Sequence, residues 1–282
     1  MKFITSLLST LLIPAAMMAA EPADTVTVFM IGDSTMANKP LDKENQERGW
    51  GQMLPMYLTG AVKVDNHAVN GRSSKSFIDE GRWNVVKEKI CPGDYVIIQF
   101  GHNDEKSKDA KRYTIPGSTF DANLAKFVTE AREKGATPIL MNSIVRRNFP
   151  DNTGKALGET DDKQNDWKSS KNDPAEGYIL VDTHGEYLNS PRNVADSLGV
   201  TFINMNKLTH ELVQTLGPTM SKNIYMWIPE GVYEFCPAGK VDNTHLNILG
   251  GILVSRLAAD AIAEKVPGLK KYIRPEVYNL NK

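Results

Sequence analysis

The chain has 282 residues, 41% of them hydrophobic and 24% charged, with a formal net charge of −1. This is an ordinary globular composition, long enough for one large α/β domain or two small ones. A near-neutral balance without a basic stripe excludes the electrostatic footprint of a nucleic-acid-binding protein.

Met1-Lys2 gives a positive start, Phe3 to Ala20 is an apolar run, and Ala19-Ala20-Glu21 puts small residues before a charge. This pattern predicts a secretory signal peptide over residues 1–20, and hence a secreted or periplasmic protein with no stable membrane insertion after cleavage. The alternative, an uncleaved anchor, is disfavoured because the run is short and broken by Pro14. In such a compartment Cys91 and Cys236 allow one disulfide or two independent buried thiols. Two cysteines without a Cys-x-x-Cys or His-Glu-x-x-His run do not make a zinc site, and no metal or organic cofactor is expected.

Val26 to Ile31 is an almost unbroken apolar run ending at Gly32, the pattern of a strand buried on both faces. Gly51 to Leu58 has helical spacing, Val62 to Val69 reads as a second strand, and Trp83 to Ile90 as a short helix. Asp94 to Phe100 is the most strand-like stretch. A helix follows, with Thr119 as its cap, Phe120, Leu124, Phe127, Val128 and Ala131 as its apolar face, and Gly135 as its stop. Thr137 to Asn142 is a fourth strand, Ser190-Pro191 opens a helix, Thr201 to Asn204 is a fifth strand, and Leu246 to Val266 a long final helix. Strands alternating with helices predict a parallel five-stranded sheet in a three-layer α/β/α sandwich, formed by residues 21–282 as a single domain. Residues 146–176 break the rhythm: they are polar, with Phe149 and Trp167 their only large aromatics. An insertion leaving the fourth strand is either a substrate-facing wall or a solvated surface loop.

Four short blocks carry the chemistry: Gly32-Asp33-Ser34, Asn70-Gly71-Arg72-Ser73, Gly101-His102-Asn103-Asp104 and Asp242-Asn243-Thr244-His245. The first three follow strand-like runs, and open α/β sheets bind ligands at the carboxyl ends of their strands. A serine hydroxyl needs a base within reach to become a nucleophile. His245 is the candidate for Ser34, with Asp242 three residues earlier, on a turn entering the last helix, to orient it. Asp182 and His184 form a competing pair, whereas His67, inside a strand, and His210, inside a helical pattern, read as structural. Attack on an acyl carbon creates an oxyanion, for which the N–H groups of Ser34 and Gly71 and the Asn103 amide are candidate donors. Arg72, His102 and Trp227 are further candidates for substrate contact. The chain has no Gly-x-Ser-x-Gly elbow, and its acid and histidine are only three residues apart, which argues against an α/β-hydrolase.

The four blocks are similar to those of the SGNH (GDSL-like) hydrolase superfamily. Gly32-Asp33-Ser34-Thr35, Asn70-Gly71-Arg72-Ser73-Ser74, Phe100-Gly101-His102-Asn103-Asp104, Asp242-x-Thr244-His245 and Asp182-Thr183-His184-Gly185-x-Tyr187 resemble its rhamnogalacturonan acetylesterase branch. The resemblance implies a flavodoxin-like sandwich and Ser34 as nucleophile. It places Gly71 and Asn103 in the oxyanion hole, makes Asp242 and His245 the rest of a triad, and casts His184, otherwise a candidate base or site-lining residue, as a branch feature and not the base. It also implies hydrolysis of acetyl esters on plant cell-wall polysaccharide or its oligosaccharides, pectin foremost. The alternatives are a lipolytic esterase or thioesterase on the same scaffold, and a catalytically silent carbohydrate-binding protein.

Overall fold

The computed structural model describes residues 26–149 and 179–274. The expected signal segment, and residues 150–176 of the polar insertion with Trp167, lie outside these. Five strands form a parallel sheet: β1 (Val26–Gly32), β2 (Val62–Asn66), β3 (Tyr95–Gln99), β4 (Thr137–Met141) and β5 (Thr201–Ile203). Their order is β2-β1-β3-β4-β5, the doubly wound arrangement in which the winding reverses between β1 and β3.

Strand alternation sends two sets of side chains to opposite faces. Val28 and Met30 of β1, Ile97 of β3, Ile139 and Met141 of β4 and Ile203 of β5 join one core. It is covered by α1 (Trp50–Met53), α6 (Met205–Met220) and α7 (Ile248–Lys265). Phe29, Ile31, Val96, Ile98 and Leu140 point the other way. They meet α2 (Ser74–Asp79), α3 (Arg82–Lys87), α4 (Thr119–Glu133) and α5 (Ser190–Leu198). Both faces of β1, β3 and β4 are buried, which is why these strands read as near-continuous apolar runs. Below the strand ends, buried polar side chains lock the layers together. Trp50 Nε1 donates to Gln99 Oε1 (2.9 Å), Gln99 Nε2 to the Asn142 carbonyl (2.9 Å), and Asn142 Nδ2 to Asn204 Oδ1 (2.9 Å).

Several expected boundaries move for identifiable reasons. The Gly51–Leu58 helix is one turn of α1 that tightens into a 3-10 turn over Leu54–Tyr57, where Pro55 supplies no N–H. β2 ends at Asn66, whose side chain accepts from Ala68 N (3.1 Å), so His67 lies past the strand, beside Asp65 and Lys89. Thr119 does not cap α4. It is the first helical residue, and its hydroxyl accepts from Ile115 N (2.8 Å). Cys91 is exposed, Cys236 half-buried, and both are free thiols.

The C-terminal region differs most. Leu246 does not start the last helix. It ends β7 (Lys240–Leu246), which pairs antiparallel with β6 (Tyr225–Ile228) in a hairpin apart from the main sheet. Helix α7 begins at Ile248, where the Asn247 side chain caps it by accepting from Gly250 N (2.9 Å). After α7, Pro267 opens the short helix α8 (Pro267–Lys270). Among the described residues no helix is long and apolar enough to cross a membrane.

Gly49 shows how closely the segment after β1 is clamped. A Cβ there would press on the Ala37 carbonyl oxygen and lie 2.5 Å from the Met36 carbonyl carbon. Both partners are backbone and have no rotamer escape. We expect Gly49→Ala to destabilise the protein by about 2 kcal/mol and to lower Tm by about 4–8 °C in a thermal melt.

Candidate active site

Ser34 follows β1 by two residues, in a turn that its neighbour organises. The Asp33 carbonyl accepts from Met36 N (3.2 Å) and Ala37 N (3.1 Å). Asp33 Oδ1 accepts from the Thr35 backbone (2.9 Å) and hydroxyl (2.8 Å), while its buried Oδ2 has no partner among the described residues. Burial raises the Asp33 carboxyl above its ordinary range against those bonds. Ser34 is itself 9% exposed.

His245 Nε2 lies 2.8 Å from Ser34 Oγ, and its Nδ1 lies 2.7 Å from Asp242 Oδ2. The two residues sit in β7 and not on a helix-entry turn. The hairpin makes their contact: Tyr225 pairs with Leu246 and Met226 with Asp242, so three residues bulge out opposite none. Inside the bulge, Asp242 Oδ1 accepts from the backbone N–H of Thr244 (2.8 Å) and of His245 (2.9 Å). The carboxylate thus shapes its own turn and leaves Oδ2 for the imidazole. Burial opposes the Asp242 charge, but His245 and Lys240 overcome it and hold the carboxyl well below the usual range.

Gly71 and Asn103 come from loops on either side of β1. The chain after β2 is tied along the end of β1 by His67 N to the Met30 carbonyl (2.8 Å) and Val69 N to the Gly32 carbonyl (3.0 Å). Gly71 then takes a φ of 75°, a region that penalises a Cβ. Ser73 closes the loop with a reciprocal capping box to Ser76 at the start of α2. Neither Ser34 N–H nor Gly71 N–H donates to a group among the described residues. Asn103 Nδ2 gives one hydrogen to the Arg72 carbonyl (3.2 Å), and its Oδ1 accepts from Arg112 (3.3 Å). Asp104 anchors this loop beneath, accepting from Ser74 N (3.0 Å) and the Thr114 hydroxyl (3.0 Å). Burial lifts its carboxyl to about 7 against these bonds.

Two of the expected substrate contacts, His184 and His102, are enclosed by protein. His184 is fully buried: Nδ1 meets Glu105 Oε2 at 2.8 Å and Nε2 meets the Ile144 carbonyl at 3.2 Å. It braces the loops after β3 and β4 and is enclosed by them. Arg146 joins the same brace through Glu105 (2.5 Å). His102 is 3% exposed and stands edge-on to His184, ring centroids 4.4 Å apart. Neither of its nitrogens has a partner among the described residues. Burial, reinforced by neighbouring cations, holds its imidazole well below its ordinary range and therefore neutral. Arg72 pairs with Glu80 (3.0 Å) and the Asn70 carbonyl (3.0 Å), and remains partly exposed beside Gly71. Trp227 donates to Asn243 Oδ1 (3.0 Å) and carries Arg147 and Lys222 within 4.8 and 4.5 Å of its ring centre. Its ring is thus engaged by protein cations beside the bulge.

Three charged residues near the site had no signal in the sequence. Glu47 bridges Lys39 Nζ (2.7 Å) and Lys240 Nζ (2.8 Å), and Lys240 reaches Asp242 Oδ2 (3.2 Å). Their positions, 39, 47 and 240, share no motif or periodicity. Only the fold joins them.

The sequence profile of the GDSL-like Lipase/Acylhydrolase family matches residues 30–214. The chain belongs to this family. It is 35% identical over 248 residues to the rhamnogalacturonan acetylesterase RhgT of Bacillus subtilis, covering 88% of this chain and 94% of RhgT. The rhamnogalacturonan acetylesterase of Emericella nidulans is 26% identical over 242 residues, with 85% of this chain and 84% of that one covered. The solved structure of Bacillus subtilis YxiM superposes with a TM-score of 0.62 at 24% identity over 86% of this chain, which spans 58% of that protein. Family membership makes the chain an esterase.

The charge cluster gives a pH prediction. Burial opposes the charge of Glu47, but His245, Lys39 and Lys240 outweigh it and bring the carboxyl from 4.5 down to about 2. A depressed folded value stabilises the fold above the unfolded value, and that stability is lost as pH falls toward the folded one. In urea melts, the stability gap between wild type and Glu47→Gln should be fully present above about pH 5 and shrink steadily toward about pH 2.

Proposed function

We propose that this chain is a carbohydrate O-acetylesterase that removes acetyl groups from plant cell-wall polysaccharide, of the pectin or rhamnogalacturonan type, through a serine acyl-enzyme. One observation carries the reading. An unbroken hydrogen-bonded line runs from Ser34 Oγ through His245 to Asp242, with steps of 2.8 and 2.7 Å. It occurs in a chain whose relatives of nearly equal length are named rhamnogalacturonan acetylesterases.

The chemistry follows from the geometry. Ser34 Oγ attacks the acetyl carbonyl carbon while His245 Nε2 takes its proton. Asp242, bonded to Nδ1, fixes the tautomer and stabilises the imidazolium. The carbonyl oxygen becomes an oxyanion, and the uncommitted N–H groups of Ser34 and Gly71, with the second Asn103 amide hydrogen, are its donors. Each preorganised donor of this kind lowers the barrier by about 3 kcal/mol. The tetrahedral intermediate collapses by breaking the bond to the sugar oxygen, which leaves with the proton from Nε2. Water then attacks the acetyl-serine with His245 again as base, releasing acetate and restoring Ser34. The protein's own groups account for each step. Arg72, partly exposed beside Gly71, is the remaining candidate for substrate contact. Export of the chain, directed by residues 1–20, belongs to the same reading.

Ser34→Ala should abolish release of 4-nitrophenol from its acetate ester without lowering Tm. Asp242→Asn should cut kcat by about 10³–10⁴-fold. With wild type, acetate release should be fastest on acetylated rhamnogalacturonan, slower on acetylated xylan, and ester cleavage should fall as the acyl chain lengthens. Preference for long acyl chains would favour a lipolytic enzyme. Binding of acetylated oligosaccharide without acetate release would favour a silent binding protein.

A further inference from the structure

The proposed triad does not end at Asp242. Lys240 Nζ lies 3.2 Å from Asp242 Oδ2, the same oxygen that holds His245 Nδ1. It also lies 2.8 Å from Glu47 Oε2, and Glu47 Oε1 lies 2.7 Å from Lys39 Nζ. Lys39 in turn donates to Asn70 Oδ1 (2.6 Å), beside Gly71. Four alternating charges thus run from the acid of the triad to the oxyanion loop.

The backbone holds this line in place. Glu47 bridges antiparallel to Asn247, and Arg48 N donates to the Leu246 carbonyl (3.0 Å), so the Glu47 segment lies along the end of β7. Gln52 clamps both the N–H and the carbonyl of Lys39 at 3.0 Å. Lys39 is 5% exposed, an unusual place for an ammonium. Stability alone does not explain the arrangement, because buried ion pairs seldom outperform apolar packing of similar volume. An alternating line that terminates on the oxygen holding the base has a different consequence. It fixes the orientation of that oxygen and sets the charge around His245.

We propose that Lys240, seated by Glu47 and Lys39, is a positioning residue that orients Asp242 and tunes the protonation of His245. The inference rests on the triad reading above. Lys240 opposes the imidazolium, Glu47 favours it, and the two are opposed by design of the cluster. Among the described residues, the other charged or titratable groups that interact with His245 are Asp242 on its own bulge, Asp33 beside Ser34 after β1, and His102 after β3. His102 stays neutral, and none of these three changes in the variants below.

The test is the acid limb of kcat/KM against pH on 4-nitrophenyl acetate. Lys240→Met removes a positive charge and should move the midpoint upward by about half a pH unit or more. Glu47→Gln removes a negative charge and should move it downward by a similar amount. The double variant should return near the wild-type midpoint, and Lys240→Arg, which keeps the charge, should retain it. If Met is not tolerated in the fold, Lys240→Gln makes the same charge change. Lower activity with midpoints coincident with wild type in both Lys240→Met and Glu47→Gln overturns the inference and leaves the triad reading intact. Shifts in the same direction for both variants also overturn it. Wild-type turnover by Ser34→Ala, by contrast, removes the triad reading itself.

Discussion

One carboxylate organises the site. Asp242 spends one oxygen on the backbone N–H groups of Thr244 and His245, and the other on the His245 ring and the Lys240 ammonium. The first pair of bonds makes the bulge, and the bulge aims the ring at Ser34. The local turn and the aim of the ring are therefore set by one carboxylate. A strand in regular register would send Asp242 and His245, three apart, to opposite faces. The extra residues in β7 remove that constraint.

The main sheet supplies the other half. Ser34 and Asn103 follow β1 and β3, the neighbouring strands between which the winding reverses, and Gly71 follows β2 on the other side of β1. At such a point the loops diverge and leave a crevice. The hairpin joins helix α7 directly, because β7 ends at Leu246 and the next residue, Asn247, caps α7. Around the crevice the polar groups are buried and mostly paired: Glu105 with Arg146 and His184, Asp104 with Ser74 and Thr114. Burying charge is costly unless it is paired, and paired charge is rigid. Rigidity is what oxyanion stabilisation requires of its donors.

Most of the sheet was legible because its central strands β1, β3 and β4 are buried on both faces, as the run from Val26 to Ile31 and that from Asp94 to Phe100 declare. The four blocks were legible because their residue types are dictated by chemistry. The β6–β7 hairpin was not. Lys240–Leu246 reads Lys-Val-Asp-Asn-Thr-His-Leu, a polar string with no period of two, and its partner strand is only four residues long. Its pairing is made by tertiary packing, with Tyr225 buried and its hydroxyl bonded to the Val145 carbonyl (2.8 Å). The enclosure of His184 was not legible for a related reason. Its neighbourhood in sequence suggests a site, whereas its burial is set by Glu105 and Ile144, some 79 and 40 positions away. The Lys39–Glu47–Lys240 line is wholly long-range and leaves no local trace.

The central claim is that Ser34 Oγ is made nucleophilic by its bond to His245. Its most direct test is covalent: treat the protein with a small alkyl fluorophosphonate, follow loss of esterase activity, and map the adduct by peptide mass spectrometry. The account predicts one label per chain, on the peptide carrying Ser34, formed in step with inactivation and suppressed in His245→Ala. Full activity after complete exposure, or inactivation with the label on another residue, would contradict it.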